Sequence, residues 1–362
     1  MRHGIRLLIL IVFTLLLSSP KMIIKGSADN GPNHQVRTQS FGVSGGNVND
    51  ITRRFCCSGT LGSLVQDING TLYILSNNHV LGLSGQASPD DDISQPGLID
   101  NNCRTPPIVA DFTTAPTLGQ SNVDAAIAQL RPGAMDSTGS ILDIGVISSV
   151  VKNPAVGMHV IKSGRTTGRT AGSITSINTT VSVQYQAGCG QGKKFVVTYN
   201  NQVVIGQSGF SAGGDSGSLI VTDDDNHQPV ALLFAGSSAT TIGNPIGQVL
   251  DQVGTTLGRG VSFVGDARGV TSAFEMSITP LANNSPRPQD LGLANWAKNR
   301  HERDLMSRPG VLGVGVGGSD NNSGEATIVV YFDRTSGRAP VLPERLENVK
   351  VRIVHTDPII AY

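Results

Sequence analysis

Residues 58–235 are a succession of short apolar runs, each soon broken by Gly, Asn, Asp or Pro. Runs of that length, rich in Val, Ile and Thr, satisfy their backbone groups by pairing side by side. The pattern therefore demands strands joined by tight turns. Residues 59–65 and 71–75 read as a hairpin around Asn69-Gly70, a dipeptide that accepts the left-handed backbone such turns need. A second block begins at Met158, with strands expected at 173–177, 181–185, 195–199, 202–205 and 218–221. Each block is the size of six strands, and the division falls at 150–157. Residues 244–257 then read as a helix, with Asn244 as cap, Pro245 in the first turn, and Ile246, Val249, Leu250 and Val253 on one stripe. The expected fold class is mainly β, a double antiparallel β-barrel.

Charge excludes some functions. Among 362 residues, 27 Lys+Arg balance 27 Asp+Glu, which leaves no basic stripe for nucleic acid. A hydrophobic share of 38% is enough to build a core, so the chain is not a disordered one. At the N-terminus, Arg2, His3 and Arg6 flank an apolar run at 7–17, interrupted only by Thr14. A membrane span needs about 20 apolar residues, so this run reads as an export signal. Gly26-Ser27-Ala28 offers a cleavage site, giving a signal peptide at 1–28 and a loose mature start at 29–54. The destination is extracellular or periplasmic, with no stable membrane insertion after cleavage; the alternative is an uncleaved N-terminal anchor.

Cys56, Cys57, Cys103 and Cys189 suit an exported chain with one or two disulfides, their pairing open. Neighbours on a strand face opposite ways, so Cys56 and Cys57 do not share a partner. The spacing lacks a zinc knuckle, and the acidic runs at 90–92 and 223–225 lack calcium-loop spacing, so no metal and no cofactor are expected. Residues 259–308 read as a connector with a helix at 290–306, and residues 309–362 as a separate small α+β or β domain. Oligomerisation is the role open to that domain. Its Gly313, Gly315 and Gly318 match a dinucleotide fingerprint in form only, because a turn rather than a helix follows.

Three places carry chemistry. An apolar strand ends in Ser76-Asn77-Asn78-His79; Asp124 lies in the apolar stretch Val123-Asp124-Ala125-Ala126; and Ser216 sits in Gly214-Asp215-Ser216-Gly217. Each alone is an ordinary structural feature. Together they run His, Asp, Ser with separations of 45 and 92 residues. That is the order of the Ser-His-Asp acyl-transfer template, with its spacing to within about one residue.

The motifs around these residues resemble the trypsin/chymotrypsin superfamily of serine peptidases over residues 55–258. The stretch Ser163-Gly164-Arg165-Thr166-Thr167-Gly168 is similar to a hairpin of secreted bacterial α-lytic-type proteases, without the Cys pair that flanks it there. The nearest resemblance is to bacterial relatives of the plant narrow-leaf trypsin-like proteins. It is carried by Leu75-Ser-Asn-Asn-His79-Val80, Gln95-Pro96-Gly97, Gly214-Asp-Ser-Gly-Ser218 and Leu233-Phe-Ala-Gly-Ser237. The resemblance implies a trypsin-like double barrel and a polypeptide substrate. Ser216 becomes the nucleophile, His79 the general base and Asp124 its orienting partner, with the N–H groups of Gly214 and Ser216 as oxyanion hole. Asp215 becomes the structural acid beside the site. Lacking an activation sequence that would free an N-terminus, it must be held by backbone amides or by a cation, for which Arg165 is the candidate. Phe210 would sit at the base of the substrate pocket, and Phe234, Ala235 and Gly236 on the strand that pairs with substrate, which implies small or apolar side chains before the scissile bond.

The expected function is an exported serine endopeptidase. The alternative is a catalytically inactive binding or scaffolding protein on the same fold. An esterase is disfavoured, because the Ser-Asp-His order of α/β-hydrolases is not followed.

Overall fold

The computed structural model describes residues 34–268, 285–319, 324–337 and 341–361. The expected signal peptide lies outside them. Strands β1 (Val43–Asn47), β2 (Gly59–Leu61), β3 (Ser63–Asp67) and β4 (Leu72–Ser76) precede a single turn of helix, α1 (Asn78–Leu81). Strands β5 (Asp92–Ser94), β6 (Ile108–Thr114) and β7 (Ala126–Leu130) follow. The next set is β8 (His159–Gly164), β9 (Gly168–Gln186), β10 (Lys194–Ile205), β11 (Leu219–Thr222), β12 (Pro229–Gly236) and β13 (Thr241–Pro245). Helix α2 (Ile246–Leu257), β14 (Val261–Phe263) and helix α3 (Pro288–Met306) lead to β15 (Val311–Gly318), β16 (Ala326–Asp333), β17 (Arg345–Leu346), β18 (Val349–Thr356) and β19 (Ile360–Ala361).

The strands form two sheets. The first, ordered β14-β3-β4-β7-β6-β5-β1-β2, is curled and wholly antiparallel. In the second, β8, β9, β10, β13, β12 and β11 pair in succession, and β11 returns to β8, so these six close into a barrel. This is the trypsin-like double-barrel architecture expected from the sequence. The hairpin at Asn69-Gly70 forms, with Gly70 at φ +78° and Asp67 Oδ1 accepting the N–H groups of Asn69 and Thr71. One apolar core runs from the first sheet through Leu219, Val221 and Leu232 to Ile246, Val249 and Val253 of α2, which fixes how the two halves meet.

Four details depart from the sequence reading. The stretch expected as a loose start contributes β1, because Phe41 and Val43 are fully buried there and His34 bonds Gly42 O and Asp143. Asn244 does not cap α2: its Nδ2 donates to Gln202 and its Oδ1 accepts the N–H of Asp124. Within the expected connector, β14 adds an edge strand to the first sheet. The C-terminal residues are not a detached unit, since β15 pairs along β9 and extends the second sheet, with α3 packing Ala294, Ala297 and Leu305 on its apolar side.

Both disulfides form, Cys56–Cys103 and Cys57–Cys189. The second joins the start of β2 in the first sheet to the β9–β10 turn of the second. It spans 132 residues, and closing so long a loop removes much of the unfolded chain's entropy. Replacing Cys57 and Cys189 together by Ala is expected to lower the unfolding free energy by about 4 kcal/mol, measured by denaturant titration. The local Cys56–Cys103 pair, spanning 47 residues, should cost less when removed.

Candidate active site

Strand β4 ends at Ser76, and α1 begins two residues later, so the strand-to-helix turn presents His79 at the rim of the first sheet. Its Nδ1 lies 2.6 Å from Asp124 Oδ2, and its backbone N–H donates to Asp124 Oδ1 at 3.2 Å. Asp124 is fully buried just ahead of β7, where an unpartnered carboxylate would be costly. Asn77 Nδ2 donates to its carbonyl at 2.7 Å, and Asn244 accepts its N–H at 2.9 Å. A further donor comes from the second barrel: Tyr185 Oη gives a hydrogen bond to Asp124 Oδ2 at 2.9 Å and meets Tyr199 Oη at 2.7 Å. Burial, then the Asp124 charge, hold the Tyr185 hydroxyl well above its ordinary pKa, so it stays a donor. The sequence reading placed Tyr185 on a strand but did not connect it with Asp124. Its signal was the Val181, Val183, Tyr185 alternation, which turns all three to the same face.

Ser216 follows a glycine turn that docks against the first sheet. Thr60 N–H donates to Ser216 O at 2.8 Å, and Thr60 Oγ1 donates to Gly214 O at 2.9 Å. Gly217 adopts φ +95°, and a Cβ there would fall 2.2 Å from Thr60 O, so only glycine fits. Gly214, at φ +97°, turns the peptide plane ahead of Asp215. Among the described residues, no acceptor takes the N–H of Gly214 or Ser216. Ser216 Oγ donates to Phe234 O at 3.2 Å. His79, Gly213 and Gly214 line one cleft of about 320 Å³, which brings the His-Asp pair and the serine turn to a common space.

Asp215 is fully buried and ringed by donors. Oδ1 accepts from Thr166 N–H at 2.8 Å and Thr167 N–H at 3.2 Å; Oδ2 accepts from Thr167 Oγ1 at 2.7 Å and Ala212 N–H at 3.0 Å. Lys162 Nζ lies 3.5 Å from Oδ2, and its side chain is as buried as its partner's. Burial pushes the Lys162 ammonium pKa down while Asp215 pulls it back. Backbone amides and a cation thus both hold Asp215, but the cation is not Arg165. That side chain pairs with Asp100, at 2.6 and 2.7 Å. The sequence offered one signal for Lys162, a lone lysine inside the apolar run Val160-Ile161-Lys162.

Two pocket assignments change. Phe210 is fully buried among Val160, Ile174, Ile205 and Leu233, so its side chain is a core residue of the second barrel rather than a pocket floor. The Phe234 ring packs edge-on against Tyr199, at 5.0 Å between centroids. Phe234 reaches the site through its carbonyl, and Ala235 and Gly236 through backbone pairing. The cleft holds an acid the sequence did not single out, Asp50, whose pKa burial raises to about 6 while the charge of His79 opposes the rise. Asp50 lies within 4.8 Å of the Cys57 and Cys189 sulfurs, but those are spent in a disulfide and offer no thiolate to a metal. The acidic runs are engaged in ion pairs and turns, Asp92 with Arg131 and Asp223 with Arg169, while Asp224 accepts Thr222 Oγ1.

The model of the Nal1 C-terminal domain matches residues 119–244, less than half of the chain. No curated protein matches. Solved structures that match are trypsin-like serine proteases. A glutamic acid-specific serine protease, described as using a histidine triad in substrate binding, is 20% identical with a TM-score of 0.42, covering 62% of this chain and 98% of its own. Protease A of Thermobifida fusca is 18% identical with a TM-score of 0.42, covering 63% and 98%. A chymotrypsin of Cellulomonas bogoriensis is 17% identical with a TM-score of 0.41, again covering 63% and 98%.

Removing one partner of a buried ion pair strands the other. Lys162→Met and Asp215→Asn are each expected to lower the unfolding free energy by about 3–5 kcal/mol. The double variant should lose less than the sum, the mark of a direct pair in a denaturation cycle. Arg165→Ala leaves Asp215 its partners and should show no such coupling.

Proposed function

We propose that the protein is an exported serine endopeptidase, with Ser216, His79 and Asp124 as its catalytic residues. The observation that carries the reading is the buried His79–Asp124 pair, facing the same cleft as a glycine turn whose Gly214 and Ser216 N–H groups have no acceptor among the described residues. A serine hydroxyl is too weak an acid to attack a peptide carbonyl unaided. His79 takes its proton as Oγ bonds to the carbonyl carbon, and returns that proton to the amine as the C–N bond breaks. Asp124, oriented by Tyr185 and Asn244, fixes the imidazole tautomer and stabilises the imidazolium. The N–H groups of Gly214 and Ser216 receive the charge on the tetrahedral oxygen; one such donor is worth about 10²–10³ in turnover. Water then releases the acyl group from Ser216 by the same proton route.

The Nal1 C-terminal domain match contains both Asp124 and Ser216, and it supports a place among bacterial relatives of the plant narrow-leaf trypsin-like proteins. Two disulfides support an oxidising, exported setting. No helix among the described residues is long and apolar enough to cross a membrane.

A fluorophosphonate probe is expected to label the wild-type chain at Ser216 and to leave Ser216→Ala unlabelled, read by intact-mass spectrometry. Absence of labelling on folded protein would favour the inactive binding protein instead. Chelation by EDTA should leave labelling unchanged, since no step uses a metal. Above pH 6 an ionised Asp50 favours the imidazolium of His79, so Asp50→Asn should move the acid limb of the kcat/KM profile to lower pH. An unmoved limb would remove Asp50 from the electrostatics of the site.

A further inference from the structure

β12 pairs with β13 as far as Gly236, but on its other side β11 accompanies it only to Leu232, and Ser218 and Gly217 bond Leu233 beyond that. The next edge, Ala235–Gly236, is already occupied by a strand of this chain. Ala361 pairs antiparallel with Ala235, and Ile360 with Gly236. The same strand is held from behind, where Ile360 pairs with Gln184 of β9, whose N–H donates to Ile359 O at 2.9 Å. Ala361 lines the cleft together with His79, Tyr185 and Gly214.

Direction matters more than contact. Because the pairing is antiparallel, the chain running from Ile360 to Ala361 heads from Gly236 towards Phe234. Phe234 O is the atom that accepts the hydroxyl of Ser216, at 3.2 Å. The segment therefore enters with its C-terminal direction leading to the nucleophile, the polarity required of the acyl half of a peptide substrate. Ser216 itself is wholly buried.

The segment is also anchored outside the site. Ile359 is 1% exposed, packed in the cluster of Tyr185, Tyr199 and Phe234. Thr356 Oγ1 meets Ser237 Oγ at 2.6 Å, and Asp357 pairs with Arg334 at 2.5 Å while accepting Ser238 Oγ. These contacts fasten residues 356–359 to the barrel rim and bring Ala361 to the cleft.

We infer that the Ala235–Gly236 edge is a peptide-binding site filled in cis by residues 357–361, and that this segment is an image of the substrate class. The peptides it takes are extended, with an apolar residue in the place of Ile359, whose side chain is the buried one, and a small residue in the place of Ala361. Substrate enters only when the segment leaves, so apparent affinity is reduced by the fraction of molecules with an empty edge. The inference rests on the peptidase reading for its catalytic consequence, but the binding site itself does not.

The test uses the full chain as wild type, Ile359→Asp and Arg334→Ala. Ile359→Asp puts a charge into the apolar seat; Arg334→Ala removes a surface anchor without touching the core, and it carries the test if the first variant fails to fold. A fluorescent Asp-Pro-Ile-Ile-Ala peptide is titrated by anisotropy, and the rate of fluorophosphonate labelling at Ser216 is measured alongside. Both variants are expected to bind the peptide about tenfold tighter than wild type or better, and to label faster by a similar factor. A peptide with Asp in place of the first Ile should show no such gain. Equal, weak peptide binding by wild type and the folded variants would overturn the inference, even if all of them label. Tighter peptide binding without any labelling would keep the site and overturn the peptidase reading.

Discussion

The buried carboxylate of Asp124 is the interaction on which the rest of the site depends. A charge without access to water must be surrounded by donors, and here they come from both halves of the molecule. His79 approaches from the first sheet, Tyr185 from the second barrel, and Asn244 from the end of β13 holds the backbone. Satisfying one acid therefore fixes how the two halves sit against each other. The shared apolar core that runs onto α2 does the same from below, and the Cys57–Cys189 bridge does so at the rim.

The same logic recurs at Asp215. Four hydrogen bonds and the Lys162 ammonium lock the residue just ahead of Ser216, so the Gly214–Ser216 backbone has little freedom to turn its N–H groups away. A rigid turn suits a site that must stabilise charge without reorganising. In this chain the cation is delivered by an inward-facing position of β8, within the barrel itself. Beside the cleft, β19 fills the edge of β12.

The C-terminal strands show how a sheet edge defeats domain reading. Residues 309–362 look self-contained in sequence, with a glycine-rich run, an apolar strand and an alternating strand in succession. Those strands need partners for their backbone groups, and β9, nineteen residues long, offers β15 an edge beyond its pairing with β8. Pairing there costs less than leaving an exposed edge, so the segment merges into the barrel sheet. The same economy brings β19 to β12. Nothing in the composition of Pro358-Ile359-Ile360-Ala361 marks it as a strand beside the cleft.

What the sequence determined by itself is whatever depends on residue type and short-range period. The strand-and-turn alternation, the hairpin at Asn69-Gly70, the helix α3 and the pairing of His79 with Asp124 were all legible there. They rest on turn chemistry, β-branching and the spacing of one chemical set. Only the tertiary structure decided which cysteines pair, that Tyr185 and Lys162 are the partners of the two buried acids, that Phe210 belongs to the core, and that Ala361 lines the cleft. These are matters of register between strands far apart in the chain. A slip of one residue turns every side chain to the other face, so such contacts exist only once both sheets have closed.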